Sequence, residues 1–323
     1  MEAPTKASNN FDNTRLSTFK TCPRKFFIRH VLGWRGDGTA SPLAFGGAWH
    51  EGMDATWRNA KSMNQEELTN AAFQAFLIKW EEEGYSANMS LAEMDMLKAR
   101  TPGTAHEMYY NYINQRWAML QEAEIIAIEQ PFAVPLPGIK DTWYIGRLDK
   151  TIHYNGQKII LEHKTTTAYA TQGGFRPDFI ESWYSSAQCK GYEFAGNIFY
   201  EEISGVWVDA ALVHKKVHDQ FRFVPIKHSR PLLIEWINDA KHWAENILKQ
   251  KELFMDAGEL RNGNFPRNEE SCFGKYGKCP YLDICRSCDD PSKLSGPPVG
   301  YVEDRWEPFD VLKMHKLAED DND

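Results

Sequence analysis

Asp149, Glu162 and Lys164 combine two carboxylates and an amine within a short stretch of the chain, a set that could bind a divalent cation. They lie in a stretch at 142–166 that is rich in β-branched and aromatic residues and is interrupted by Asn-Gly at 155–156, the strongest short-range signal for a type I′ hairpin turn. Pairing outward from a two-residue turn sets Asp149 opposite Glu162, and side-chain alternation puts Lys164 on the face of Glu162. Two like charges placed opposite each other destabilise a sheet, whereas a bound divalent cation would make them ligands. The hairpin therefore predicts a metal site with a lysine beside it.

Four segments of the chain resemble, in the expected order, the motifs of PD-(D/E)XK nucleases of the RecB type. That family combines a helical histidine with the patterns G-x-x-D, (D/E)-x-K and Q-x-x-x-Y. The matching segments are Gly46-Gly47-Ala48-Trp49-His50, Gly146-Arg147-Leu148-Asp149, Glu162-His163-Lys164 and Gln188-Cys189-Lys190-Gly191-Tyr192. Leu148 stands where the superfamily's name has a proline, a departure that RecB-type members commonly share.

The resemblance implies hydrolysis of phosphodiester bonds in DNA with Mg²⁺ or Mn²⁺, cations that prefer oxygen ligands. Asp149 and Glu162 would be the carboxylate ligands, together with the backbone carbonyl of residue 163. His50 would add an imidazole, which suits Mn²⁺ better than Mg²⁺. Glu129 falls where related nucleases often have an acidic residue and is a weaker candidate for the same site.

The resemblance also gives roles to three side chains around the reacting phosphate. Lys164 would orient or deprotonate the attacking water and would steady the phosphate. Deprotonation of the water would require that burial lower the pKa of Lys164. Gln188 would hold Lys164 or the water. Tyr192, four residues later on one helix face, would contact the DNA backbone or a base. A solvated ladder of charges on the sheet surface is the alternative reading of the hairpin.

Four of the six cysteines lie within residues 272–288, and in a reducing compartment such clustering favours metal ligation over disulfides. The segment Cys279-Pro280-Tyr281-x3-Cys285 resembles the C-terminal half of the iron–sulfur motif of these nucleases, and the segment around Cys22 resembles their first helix. The resemblance implies a [4Fe–4S] cluster on Cys22, Cys272, Cys279 and Cys285.

Two observations keep an alternative open at the cysteines. The spacing of Cys272 to Cys279 is wider than in many relatives, and the additional Cys288 could replace one of the ligands. A zinc knuckle made only from residues 272–288 is the competing interpretation. Cys189, beside Gln188 on a helix, is expected to be simply buried.

Composition sets the class of protein. The chain has 323 residues, 42% apolar and 25% charged, which is typical of a globular protein, and no stretch of it resembles a transmembrane span. The polar residues 1–10 do not resemble a signal peptide, so we expect a cytoplasmic protein without membrane partners. The net charge of −8 does not by itself indicate nucleic-acid binding, so any basic groove must be confined to one part of the surface.

Helices and strands must then position these residues. The patterns predict strands at 123–136, 142–154, 157–166, 206–214 and 220–226 and helices at 16–33, 44–60, 64–84, 179–199 and 231–253, with a further helix from Thr101-Pro102. Ser17 is expected to cap the first helix, and Leu232, Trp236, Ala240, Trp243 and Ile247 are expected to face inward from the last. The aromatic residues of 61–122 are predicted to be core. The alternative hypothesis is that this segment forms a wall of the DNA channel, with exposed aromatic rings that stack on bases.

The resulting fold prediction is α/β (α+β), a restriction-endonuclease-like mixed central sheet flanked by helices. A nuclease domain would cover 11–290, with a helical insertion at about 61–122 and the iron–sulfur segment at 272–288. Residues 291–323 would form an extension with an acidic, disordered end.

The predicted function is a Mg²⁺- or Mn²⁺-dependent deoxyribonuclease, an exonuclease on single-stranded DNA or duplex ends with a structural [4Fe–4S] cluster. It fits phage or bacterial recombination and repair, or CRISPR adaptation, with the proteins of those processes as partners. The alternatives are an endonuclease of the same fold and a non-catalytic nucleic-acid-binding module with a zinc knuckle.

Overall fold

A computed structural model describes residues 9–170, 173–260, 263–274 and 277–312. Residues 291–312 of the predicted C-terminal extension are described, and its acidic end, which was predicted to be disordered, lies outside the described residues. The helices and strands, numbered in chain order, are β1 (Asn9–Phe11), α1 (Asn13–Thr21), α2 (Pro23–Phe26), β2 (Trp34–Gly36), α3 (Ser41–Asn59), α4 (Gln65–Glu82), α5 (Leu91–Leu97), α6 (Pro102–Glu122), β3 (Glu124–Pro135), β4 (Thr142–Tyr154), β5 (Gln157–Thr166), α7 (Pro177–Tyr184), α8 (Ala187–Phe199), β6 (Gly205–Leu212), β7 (Phe221–Ile226), α9 (Arg230–Ala257), β8 (Phe273–Gly274), β9 (Gly277–Lys278), α10 (Leu282–Ser287) and β10 (Tyr301–Glu303).

The main sheet is mixed. Its strand order is β1-β4-β5-β6-β7, with β3 pairing to β4. The β4–β5 and β6–β7 pairs are antiparallel, whereas β5 and β6 run parallel because α7 and α8 form the crossover between them. The predicted class, a mixed sheet flanked by helices, is confirmed.

The described chain falls into two compact units. The first takes residues up to 37, 131–147 and those from 229 onward, and the second takes 38–130 and 148–228. The core of the second unit is built by α3, α4 and α6 with the apolar residues of β5, and it includes Trp49, Phe76, Trp80 and Tyr109. The prediction that the aromatic residues of 61–122 are core is therefore confirmed for Phe76, Trp80 and Tyr109. None of the described helices is long and apolar enough to cross a membrane.

Three predictions about helices are wrong in detail. Ser17 does not cap the first helix: Asp12 does, its side chain accepting from the backbone N–H of Arg15 at 2.6 Å. The helix predicted at 179–199 is two helices, because the chain turns after Tyr184 and Ser186 caps the second one. Leu232 is 42% exposed rather than inward, because the buried face of α9 runs through its neighbour Leu233, with Trp236 and Ile237.

Candidate functional site

The β4–β5 hairpin has the geometry that its turn sequence demands. Asn155 and Gly156 take φ values of +50° and +73°, as a type I′ turn requires. The pairing runs outward from Tyr154↔Gln157 to Lys150↔Leu161, so the predicted register is confirmed over these pairs. The next positions outward, beyond the last pair of this ladder, are 149 and 162.

Asp149 is held from two directions. Its Oδ2 accepts from the backbone N–H of His163 at 3.0 Å and lies 3.2 Å from Nδ1 of His50 on α3. Burial raises the pKa of this carboxyl, but His50 and two lysines, Lys164 and Lys150, outweigh burial and hold the pKa well below its usual range. For His50 burial lowers the pKa, and the carboxylate of Asp149 more than reverses this. Asp149 is therefore an ionised carboxylate.

Glu162 is 1% exposed and has two unlike oxygens. Its Oε1 contacts the ammonium of Lys164 and accepts from Nε2 of Gln188 at 2.7 Å. Its Oε2 is buried and has no hydrogen-bond partner among the residues that the structure describes. Burial and the charge of Asp149 raise the pKa of Glu162 to about 7. A buried acceptor without a donor is costly, so this oxygen is a candidate for ligation.

Lys164 stands on the same face as Glu162, as alternation along β5 requires. Burial lowers the pKa of its ammonium, but Glu162 and Asp149 outweigh burial, so the pKa is raised above its ordinary value. A general base would need the opposite shift. This electrostatic setting favours a permanent cation that could face a phosphate over a group that takes a proton from water.

Gln188 and Tyr192 meet one turn apart on α8. The Nε2 of Gln188 donates to the hydroxyl of Tyr192 at 2.9 Å as well as to Glu162. Tyr192 is only 8% exposed. Its ring therefore packs within the protein, and its hydroxyl helps to orient Gln188, which is a different arrangement from an exposed platform for a base.

Sequence reasoning missed two buried polar groupings behind these residues. Lys150 contacts Asp54, and their side chains are 0% and 10% exposed. Asp54 follows His50 by four residues on α3, so the two face β4 together. The signal available for the pair was a lysine between Leu148 and Ile152, the two apolar residues on the same face of the strand.

The second missed grouping joins β5, β6 and α6. Nδ1 of His163 lies 3.1 Å from Oδ2 of Asp209, and the same oxygen accepts from the hydroxyl of Tyr112 at 2.6 Å. All three side chains are buried. The backbone N–H of His163 is the donor to Asp149, so this network fixes the strand segment that orients a candidate ligand.

The residues fit a hard divalent cation by chemistry, although no group of three His, Cys, Asp or Glu side chains in the described residues is arranged to hold a metal ion as it stands. An ionised Asp149 and the partnerless Oε2 of Glu162 are oxygen donors of the kind that Mg²⁺ and Mn²⁺ take. The present partners of these carboxylates, His50 and Lys164, neutralise the charges that a cation would otherwise balance. Glu129, the weaker candidate, lies half-buried on β3 with a left-handed φ of +55°.

The first unit contains the predicted cysteines. Cys22 lies between α1 and α2, Cys272 immediately precedes β8, Cys279 follows β9 and Cys285 lies on α10. A cavity of about 350 Å³ is lined by four of them, Cys22, Cys272, Cys279 and Cys285. Cys288 ends α10 and does not line it, and Cys189 is fully buried on α8. Residues far apart in sequence thus meet around one space.

Arginines balance the charge that thiolates would bring to this cavity. Burial raises the pKa of the Cys285 thiol, while Arg267 and Arg24 oppose burial without overcoming it. Arg24 is anchored by donating to the backbone carbonyls of Phe265 at 3.0 Å and Asp289 at 3.1 Å. The same cavity is therefore suited by donor type to a thiolate-bound cluster, although no group of three His, Cys, Asp or Glu side chains in the described part of the chain is arranged to hold a metal ion.

The comparison with known proteins gives one result. The model of a family described as the PD-(D/E)XK nuclease superfamily matches residues 13–286. This range runs from α1 into α10 and includes every candidate side chain described above. No curated protein matches the chain.

Proposed function

The chain belongs to the PD-(D/E)XK nuclease superfamily, and from this membership and the site in the second unit we propose that it is a metal-dependent deoxyribonuclease that hydrolyses phosphodiester bonds. One observation carries the proposal. His50 contacts Asp149, and Lys164 and Gln188 contact Glu162. The backbone N–H of His163, between Glu162 and Lys164 on β5, donates to Asp149 and links the two groups into one chain of contacts from four helices and strands. Within the described residues, this leaves the buried Oε2 of Glu162 without a donor.

The residues divide the work as follows. Asp149 and Glu162 are the carboxylates that hold Mg²⁺ or Mn²⁺, with His50 and the carbonyl of residue 163. When bound, the metal supplies charge neutralisation at the phosphate and an acidified water. Lys164, kept cationic by the carboxylates, moves its contact from Glu162 to a phosphate oxygen. Gln188 holds the Glu162 carboxylate in place.

We propose single-stranded DNA or duplex ends as the substrate, with an exonucleolytic mode. The test is cleavage of labelled single strands, linear duplexes and covalently closed circles with Mg²⁺, with Mn²⁺ or with chelator, and with an RNA strand as a further substrate. Degradation from ends with intact circles is expected. Cleavage of circles would establish the endonuclease of the same fold, and no cleavage of any substrate would favour the binding module.

For the cysteine-lined cavity we propose a structural [4Fe–4S] cluster on Cys22, Cys272, Cys279 and Cys285. The position of Cys22 at the cavity, and of Cys288 outside it, supports this set over a knuckle confined to 272–288. Freshly purified protein should absorb near 400 nm and contain iron. Zinc with no such absorption would overturn the cluster and leave the nuclease proposal standing.

A further inference from the structure

A second cavity lies at the end of the strand that carries Glu162 and Lys164. It has a volume of about 400 Å³ and is lined by residues that include Tyr169, Leu212, His214 and Gln220. That volume is within the range of pockets that hold small organic groups. None of these residues belongs to the chain of contacts around Asp149 and Glu162.

The register of the sheet relates this cavity to the candidate active site. β5 pairs in parallel with β6, with Lys164 beside Ala210 and Thr166 beside Leu212. Residues two apart on a strand share a face, so Leu212 opens onto the same face as Lys164, about 7 Å further along the strands. In open α/β sheets ligands bind beyond the carboxyl ends of parallel strands, and this is such an edge.

The loop after β5 holds an aromatic ring at this edge. Tyr169 is bridged in antiparallel fashion to Phe175, and Arg176 donates its backbone N–H to the carbonyl of Ala168 at 3.0 Å. Gly174 accepts from the N–H of Ala170 at 2.9 Å and has a φ of +74°, which glycine adopts at little cost. The ring of Tyr169 is nevertheless 53% exposed.

The turn between β6 and β7 supplies the other wall. The ring of His214 lies 5.0 Å from that of Tyr169, edge to face. Its Nδ1 accepts the backbone N–H groups of Lys216 and Val217, each at 3.2 Å, which fixes the ring against the turn. An Nδ1 that accepts carries no hydrogen, so Nε2 is the nitrogen that can donate.

Positive charge surrounds this edge in a chain whose net charge is −8. Lys215 and Lys216 are exposed on the turn, where Asp219 is the one acidic residue between 213 and 220. Arg100 donates to the hydroxyl of Thr167 at 3.3 Å. Thr167 lies between Lys164 and Tyr169 along the chain, so this places a third cation at the edge. The combination of an exposed aromatic ring with flanking cations is the pattern that binds single-stranded nucleic acid.

We infer that this cavity is a subsite for one unpaired nucleobase of the substrate strand, next to the phosphate that is cleaved. The base stacks on Tyr169, the backbone follows the cations, and the strand continues along β5 to Lys164. The inference rests on the proposed nuclease function. It deepens that function, because a base inside a duplex cannot enter without leaving its pair.

The test is the affinity of a labelled mixed-sequence strand of about 12 nucleotides for protein in the non-cleaving Lys164→Ala background. Tyr169→Ala should weaken binding by about 5- to 150-fold, the range that base stacking gives. Tyr169→Phe should bind like the parent. The matched control is Tyr110→Ala, because Tyr110 is 54% exposed on α6 and does not line the cavity; it should also bind like the parent. Tyr169→Ala should reduce the affinity of the protein for a fully paired duplex less than its affinity for the single strand.

A photochemical scan locates the base directly. A single 5-iododeoxyuridine moved along the strand should cross-link to Tyr169 or His214 from one position near the cleaved bond. Parental binding by Tyr169→Ala, or cross-links only to other residues, would overturn the subsite while wild-type cleavage keeps the nuclease. A wild-type protein that neither binds nor cuts any strand would overturn both.

Discussion

Two carboxylates with opposite electrostatic tendencies characterise the candidate site at the scale of residues. Asp149 is kept ionised by His50 and the lysines, whereas burial and the charge of Asp149 raise the pKa of Glu162 to about 7. Such divergence is common at functional sites, where burial and close charges are set against each other. Lys164 contacts Glu162, the carboxylate with the raised pKa. The net charge of the Lys164–Glu162 pair therefore depends on whether a metal ion or a phosphate is bound beside it.

Lys164→Ala should abolish cleavage, by at least about 100-fold, because it removes the cation that would face the phosphate charge. Asp149→Ala and Glu162→Ala should do the same. Lys158→Ala is the control, since Lys158 lies on the same strand and donates to the backbone carbonyl of Tyr200 at 3.0 Å. Single-turnover rates with circular dichroism of each variant decide the matter. Full activity of the Lys164 variant, or of wild type in chelator, would contradict the assignment.

Substitutions of Gln188 and of Tyr192 should lower turnover to different degrees. Gln188→Ala should lower turnover, because Glu162 loses a donor at 2.7 Å. Tyr192→Phe removes one hydrogen bond to Gln188 but keeps the buried ring, so it should cost about 1 kcal/mol in the barrier. Affinity for a short strand should change in neither variant. A large loss of affinity in Tyr192→Phe would instead mean that the hydroxyl contacts DNA directly.

At the scale of helices and strands, α3 is fixed to β4 at two points one turn apart. His50 approaches Asp149, and Asp54 contacts Lys150. The Asp54–Lys150 pair is buried from solvent, and its role is to fix the orientation of α3 on β4. Breaking one partner of a buried pair leaves an uncompensated charge, whereas replacing both with apolar residues does not.

Lys150→Met should therefore lower the free energy of unfolding by about 3–5 kcal/mol, and the double variant Asp54→Leu/Lys150→Met should recover most of that loss. Urea denaturation monitored by tryptophan fluorescence measures both. The control is Lys79→Ala, which breaks partly exposed pairs on α4 and should cost at most about 1 kcal/mol. Equal destabilisation by the single and the double variants would show that packing, not charge, is lost.

At the scale of the whole molecule, a cluster on Cys22, Cys272, Cys279 and Cys285 would tie the beginning of the first unit to its end. A tie that closes a loop of roughly 250 residues stabilises by about 5 kcal/mol in the chain-entropy model, less any strain. The whole stability of a domain is only about 5–15 kcal/mol. Loss of the cluster should therefore endanger folding, although it takes no part in hydrolysis.

Cys22→Ala should bleach the colour, lower the melting temperature and lose activity through unfolding. Lys164→Ala should keep colour and stability and lose only cleavage. Cys288→Ala and Cys189→Ala are the cysteine controls, because neither side chain lines the cavity, and both should keep their iron. Iron content beside thermal melting measures the set. A Cys22 variant that keeps its iron and melts like wild type would exclude this cysteine as a ligand.

The hairpin and its register could be predicted from the sequence alone, because turns and side-chain alternation depend on neighbours a few residues away. The motif order also predicted which residues would meet in the second unit. Three features could not be predicted without the tertiary structure: the burial of Tyr192, the ion pair of Asp54 with Lys150, and the position of Cys22 rather than Cys288 at the cavity. Each of these depends on packing between elements distant in the chain, and periodicity states which face is buried but not which partner buries it.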